Sequence, residues 1–234
     1  DFDNINFLND LEKKGFYIVE KSFSNYPNTT SSLSSSLNLD YLQNKELCSD
    51  PASYIINRSI VRKLLKKAGY KYISLPSTSS LTDRHQVDSE FKFDYPSFVS
   101  PNFLFLLFRD SFLYTPSYSF WIYKTRKFLI NQLSALEKSS EIRSPKFVFA
   151  HFICPHGPYV FDKDGNYPKR NFLNGDLVIS EKQAYVEQLI FINKKIDEII
   201  NHILKYSERK PIIILQSDHG VATNETYEKT EGSY

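Results

Sequence analysis

Four consecutive large aliphatics, Ile212 to Leu215, run straight into Ser217-Asp218-His219-Gly220. An unbroken apolar run of this length, opened by Pro211, reads as a strand buried on both faces, the kind found in parallel sheets. In open α/β sheets, ligands bind just past the carboxyl ends of the strands. Carboxylate and imidazole are the usual protein ligands of a divalent transition metal. Asp218 and His219 are therefore candidates to hold a metal ion at the mouth of a sheet. The plain alternative is a strand followed by an ordinary Asp-His-Gly turn.

The rest of the chain supplies partners for such a strand. Ile5, Leu8 and Leu11 lie at helical spacing before Gly15, which predicts a helix over 5–14 with a glycine C-cap. Phe16 to Val19 reads as a short strand. A helix over about 54–68 follows from Ile55, Ile56, Ile60, Val61, Leu64 and Leu65, closed by Gly69. Tyr70 to Leu75 reads as a strand broken by Pro76, and 77–89 as a polar loop. Helices are expected over 102–113 and 123–136. Phe147-Val148-Phe149-Ala150 forms a second apolar run that ends at His151. A long amphipathic helix over 181–204 carries Leu189, Ile192, Ile196, Ile199, Ile200 and Ile203 on one side. Helices alternating with short buried strands argue for one α/β domain with a mainly parallel sheet. No internal repeat or linker divides it.

Composition narrows the function classes. A net charge of +2 makes no electrostatic case for nucleic acid or an anionic membrane. The longest apolar stretch, Phe103 to Phe108, is too short to span a bilayer, and no signal peptide opens the chain. Cys48 and Cys154 lie too far apart for a metal-type pair and read equally as thiols or one disulfide. The chain has no methionine, opens inside a helical pattern and closes on a polar tail, 224–234. It reads as a segment of a longer protein, with any membrane anchor expected outside it.

Two further clusters sit at element ends. His151 and His156 bracket the loop after the second apolar run, in which Pro155-His156-Gly157-Pro158 stands. Three of the five histidines thus fall after strands of one type, and two such loops converge at one edge of a doubly wound sheet. Taken singly, His151 reads as a core histidine and His156 as a turn histidine. The other cluster is the Ser/Thr-rich run 29–37. A solvated linker is its plain reading, but Leu33, Leu37 and Leu39 are embedded in and beside it. Asn28 is a good N-cap, which places Thr29 in the first turn of a helix. Free backbone N–H groups and the helix dipole stabilise negative charge there, and a hydroxyl beside a metal is an activated nucleophile.

The order Asn25-Tyr26-Pro27-Asn28-Thr29, then Phe149-Ala150-His151 through Pro155-His156-Gly157-Pro158, then Ser217-Asp218-His219-Gly220 resembles the sulfatase-like branch of the alkaline phosphatase superfamily. It looks closest to bacterial members of the lipoteichoic acid synthase and phosphoethanolamine transferase type. The resemblance implies an alkaline-phosphatase-like three-layer α/β/α sandwich around a mainly parallel sheet. The whole chain, 1–234, would be one partial catalytic domain. The family nucleophile opens a short helix and has a serine three positions later, which matches Thr29 with Ser32. The family's Asp-His metal pair matches Asp218 and His219, with Thr29 also touching the metal. Its loop histidines, which bind the substrate's phosphate or a second metal, match His151 and His156.

Two departures shape the expected activity. The family's first metal ligand is an acid on a strand before the nucleophile helix, and that ligand is expected upstream of Asp1. Sulfatases need a cysteine or serine in a C/S-x-P/A-x-R motif, whereas here Thr29, Ser31 and Leu33 occupy those places. The resemblance therefore implies a transferase or hydrolase of substituted phosphate esters working through Thr29. The implied cofactor is a divalent ion, one of Zn, Mn, Mg or Ca. The implied substrate is a phospholipid or glycan head group of the cell envelope. The implied place is outside the cytoplasmic membrane, anchored by upstream helices. Two alternatives stand beside this: a sulfuric ester hydrolase, and a non-catalytic sulfatase-like binding domain.

Overall fold

The computed structural model describes residues 2–42, 56, 58–77, 114–143, 145–171 and 176–220. The expected helix over 102–113, Cys48 and most of the 77–89 loop lie outside them. The described elements run α1 (Ile5–Lys13), α2 (Thr29–Asn38), α3 (Ile60–Lys67), β1 (Lys71–Leu75), α4 (Tyr114–Lys138), β2 (Lys146–Ala150) and α5 (Glu181–Tyr206), with a 3₁₀ turn, Ser139–Glu141, closing α4. Helices therefore alternate with strands, as an α/β chain requires.

β1 and β2 pair in parallel, from Lys71 against Lys146 to Leu75 against Ala150. Tyr72, Ile73, Ser74 and Leu75 are all buried, because a parallel strand is covered on both faces. Ala135 of α4 packs on Ile73 and Leu75, joined by Val148 and Ala150. The main core forms where α4 meets α5. Ile122, Leu129 and Leu133 face Phe191, Ile192 and Ile199, and Cys154, Val160 and Phe161 fill the space between. Cys154 is a free, buried thiol, and burial pushes its pKa up to about 12.

Capping explains where the long helix starts. The Ser180 side chain accepts from the N–H of Gln183 at 3.2 Å, with Glu181 in the first turn, so a donor at the helix start is satisfied and the dipole is matched. Asn4 and Asn193 bond through their side chains at 2.7 Å, and Lys14 pairs with Asp197; together they tie α1 to α5.

Two expectations are corrected. Phe16 to Val19 is not a strand, and Tyr17 and Val19 stand exposed. The N–H of Phe16 bonds the carbonyl of Leu11, and that of Gly15 bonds Glu12, so this backbone closes α1 rather than joining a ladder. Ile212 to Leu215 is likewise irregular. Ile212 is 93% exposed and Ile214 77%, and no strand among the described residues pairs with the segment. Apolar content signals what a segment can bury once covered, not what lies beside it. Arg126 of α4 is part-buried. It donates to the carbonyls of Val160 and Gly165 and lies over the rings of Phe161 and Tyr167. No helix among the described residues is long and apolar enough to cross a membrane.

Candidate active site

Thr29 is the first residue of α2. Asn28 precedes it in extended geometry, and its side chain accepts from the N–H of Ser31 at 2.9 Å. This cap starts the helix at Thr29 and leaves its first free N–H groups beside that hydroxyl. The helix is anchored by an unusual buried face, in which Ser32, Ser34, Ser35 and Asn38 accompany Leu33 and Leu37. Ser35 accepts from Asn25 and donates to the carbonyl of Asp40, while Asn38 receives the N–H of Ile60.

The start of α2 meets the segment that ends in Gly220. The Thr29 Oγ1 lies 3.2 Å from His219 Nε2. The Ser32 hydroxyl donates to the carbonyl of Asp218 at 2.5 Å. One helical turn thus grips both members of the Asp-His pair, with Thr29 and Ser32 on the same face. Thr30 takes no part in these bonds. His219 Nδ1 sits 2.7 Å from the carbonyl of Gly220. A carbonyl only accepts, so Nδ1 carries a proton, and in the neutral form of that tautomer Nε2 offers a lone pair to the Thr29 hydroxyl. Asp218 Oδ2 lies 3.5 Å from the same nitrogen.

His151 follows the last residue of β2 and reaches this site electrostatically. Burial lowers its pKa, the Asp218 carboxylate raises it and His219 lowers it again, with burial winning. At neutral pH the imidazole is therefore neutral. Its carbonyl accepts from Gln132 Nε2 of α4 at 2.8 Å.

His156 stands apart and exposed. Among the described residues no hydrogen bond joins it to Thr29, Asp218 or His219. Its Nδ1 donates to the carbonyl of Gly157 at 2.8 Å. The structure thus joins Thr29, Asp218 and His219 directly, sets His151 within reach of their charges, and shows no hydrogen bond from His156 to any of the three among the described residues.

Two residues of this region escape motif reading. Gln132 and Gln188 are fully buried and hold the carbonyls of His151 and His156 respectively. Their signal was a polar side chain at a core-face position. Gln188 stands four residues from both Ala184 and Ile192, and Gln132 lies beside Leu133 and Leu129.

The donor set suits a divalent ion in part. A carboxylate, an imidazole and a hydroxyl converge, and His219 has the orientation of a ligating histidine, with Nδ1 on a backbone carbonyl and Nε2 inward. Among the described residues, no group of three or more His, Cys, Asp or Glu side chains could hold a metal. These residues therefore fit one side of an open site, not a closed structural cage.

A parallel α/β sheet with a capped hydroxyl, a carboxylate and imidazoles gathered at strand and helix ends defines a hydrolase or transferase class. The Sulfatase family model matches residues 2–234, and the chain belongs to that family. Its fold is accordingly the α/β fold of the alkaline phosphatase superfamily, whose sulfatase members generally use a divalent metal. Comparison with curated proteins and with solved structures returns no match.

Proposed function

We propose that this domain transfers or hydrolyses substituted phosphate esters, with Thr29 as nucleophile. The observation that carries this reading is the Thr29 hydroxyl, at a helix start, 3.2 Å from His219 Nε2 beside Asp218. Thr29 Oγ1 attacks phosphorus as the bond to the leaving alcohol breaks, giving a phosphothreonine. Water or an acceptor alcohol then attacks that phosphorus and restores the hydroxyl. The helix N-terminus stabilises charge on the phosphoryl oxygens. Neutral His151 binds one of those oxygens through its N–H, and His156, as the imidazolium with a proton on each ring nitrogen, binds another or gives its Nε2 proton to the leaving alcohol.

Asp218, His219 and Thr29 would hold a divalent ion, Zn, Mn, Mg or Ca. When bound, such an ion lowers the pKa of a coordinated hydroxyl and offsets charge on phosphoryl oxygens; for bound water the drop is from about 15.7 to about 7. The resemblance of the Thr29, His151–His156 and Asp218–His219 motifs to the lipoteichoic acid synthase and phosphoethanolamine transferase type supports an envelope lipid or glycan head group as substrate. It also supports a place outside the cytoplasmic membrane of a bacterium. The family match favours a second reading, hydrolysis of sulfate esters, against which Ser31 and Leu33 stand in the motif positions.

The test uses the full-length protein. Thr29→Ala should cut turnover of an aryl phosphodiester by about 10³-fold or more and abolish the phosphoprotein seen by intact mass. Unchanged turnover sinks the nucleophile assignment, and preference for an aryl sulfate over the phosphodiester moves the assignment to the second reading.

A further inference from the structure

Gln188 has no place in the chemistry above, yet its surroundings are polar on every side. It is 0% exposed in the middle of α5, where an apolar residue would continue the stripe of Ala184, Phe191 and Ile192. Its Oε1 accepts from the N–H groups of Val160 at 2.8 Å and Phe161 at 3.2 Å. Its Nε2 donates to the carbonyls of Pro155 and His156, each at 3.2 Å. One amide therefore uses both donors and accepts two bonds, all with the loop that carries His156. A buried amide earns its place only when fully partnered, and a network satisfied in this way rigidifies what it touches.

The bonds form a chain to the ring. Gln188 holds the His156 carbonyl, and His156 Nδ1 donates to the next carbonyl, that of Gly157. The carbonyl and the acceptor that together orient the imidazole thus hang from a helix packed in the main core. We infer that Gln188 is a positioning residue, which acts through His156 by fixing its backbone and the direction of its Nε2. The inference deepens the proposed role of His156 at the phosphate and rests on that reading for its kinetic consequence.

Gln188→Glu keeps the volume and the acceptor for Val160 and Phe161 but, once ionised, lacks the donors to Pro155 and His156. In full-length protein with ¹⁵N-labelled histidine, taken to a pH at which the rings are neutral, the imidazole spectrum of His156 should show the proton on Nδ1 in the parent. In Gln188→Glu it should move toward averaged tautomers, with His219 unchanged. In kinetics on the aryl phosphodiester, Gln188→Glu and His156→Ala should each raise KM about tenfold, the worth of one well-placed hydrogen bond. The double variant should match His156→Ala alone, because the two act through one ring.

An unaltered His156 spectrum in Gln188→Glu overturns the inference. So do KM effects that multiply in the double variant, since they mark a merely structural role. If His156→Ala leaves KM unchanged, the reading of His156 at the phosphate fails, and the imidazole spectrum alone decides whether Gln188 positions the ring. Should the buried carboxylate prevent folding, Gln188→Met carries the same comparisons.

Discussion

The two sides of the candidate site are supported in opposite ways. His151 stands at the end of a paired strand, and the loop after it is pinned by Gln132, Gln188 and Arg126 onto a packed core. Asp218 and His219 end a segment in which Ile212, Ile214 and Leu215 are exposed, and Thr29 and Ser32 of α2 hold the pair there. The first side inherits its geometry from the core. The second takes its geometry from the partner it works with. In the proposed chemistry Thr29 would both attack and hold its activating pair, so disorder on one side of that contact would be felt on the other.

The contrast breaks most visibly through Phe161. It is 1% exposed and stacked on Phe191 with ring centroids 4.2 Å apart. Phe161→Ala should cost about 3–5 kcal/mol, measured by urea unfolding; a loss under about 1 kcal/mol would mean that the supported side is no firmer than the other. Alkaline pH probes the same core through Cys154. Its folded pKa, about 12, lies above the ordinary 9.0, so between those values the unfolded chain loses a proton that the folded chain keeps. Stability present below pH 9 should therefore fall by about 1.4 kcal/mol per pH unit as pH rises toward 12. Comparison of unfolding curves for the parent and Cys154→Ala isolates that term, which the variant should lack.

On the other side the effects are smaller and local. Ser32→Ala removes the bond to the Asp218 carbonyl and should cost about 1 kcal/mol. Hydrogen exchange at the amides of 217–220 should speed up while β2 stays protected; uniform exchange across both would erase the distinction. Ile214→Thr, on a residue 77% exposed, should change stability by no more than about 0.5 kcal/mol. A loss of about 2 kcal/mol would show that this run is covered in solution and restore it to the core.

Local chemistry was readable and coverage was not. Asn28 as a cap placed the start of α2, and alternating apolar runs located β1, β2 and α5, because capping and periodicity act within a few residues. Ile212 to Leu215 carries the strongest strand signature in the chain, yet it lies outside the described sheet. Its state depends on neighbours that periodicity does not name. The candidate residues were found by order and spacing, but the bond from Ser32 to Asp218 spans 186 positions, a distance over which no pattern speaks. Gln132 and Gln188 were hidden for a different reason. A glutamine on an apolar face looks like a blemish until the backbone groups it satisfies are in view.

The serine-lined underside of α2 has a consequence for how the site tolerates change. A serine reaches only one bond past its Cβ and has a single heavy-atom torsion, so this helix is seated on short levers. Long side chains absorb a mismatch by changing rotamer, whereas short ones transmit it. An added methyl beneath α2, as in Ser32→Thr or Ser35→Thr, would lift the helix as a rigid rod. The displacement would carry undiminished to its tip, where the Thr29 hydroxyl meets His219.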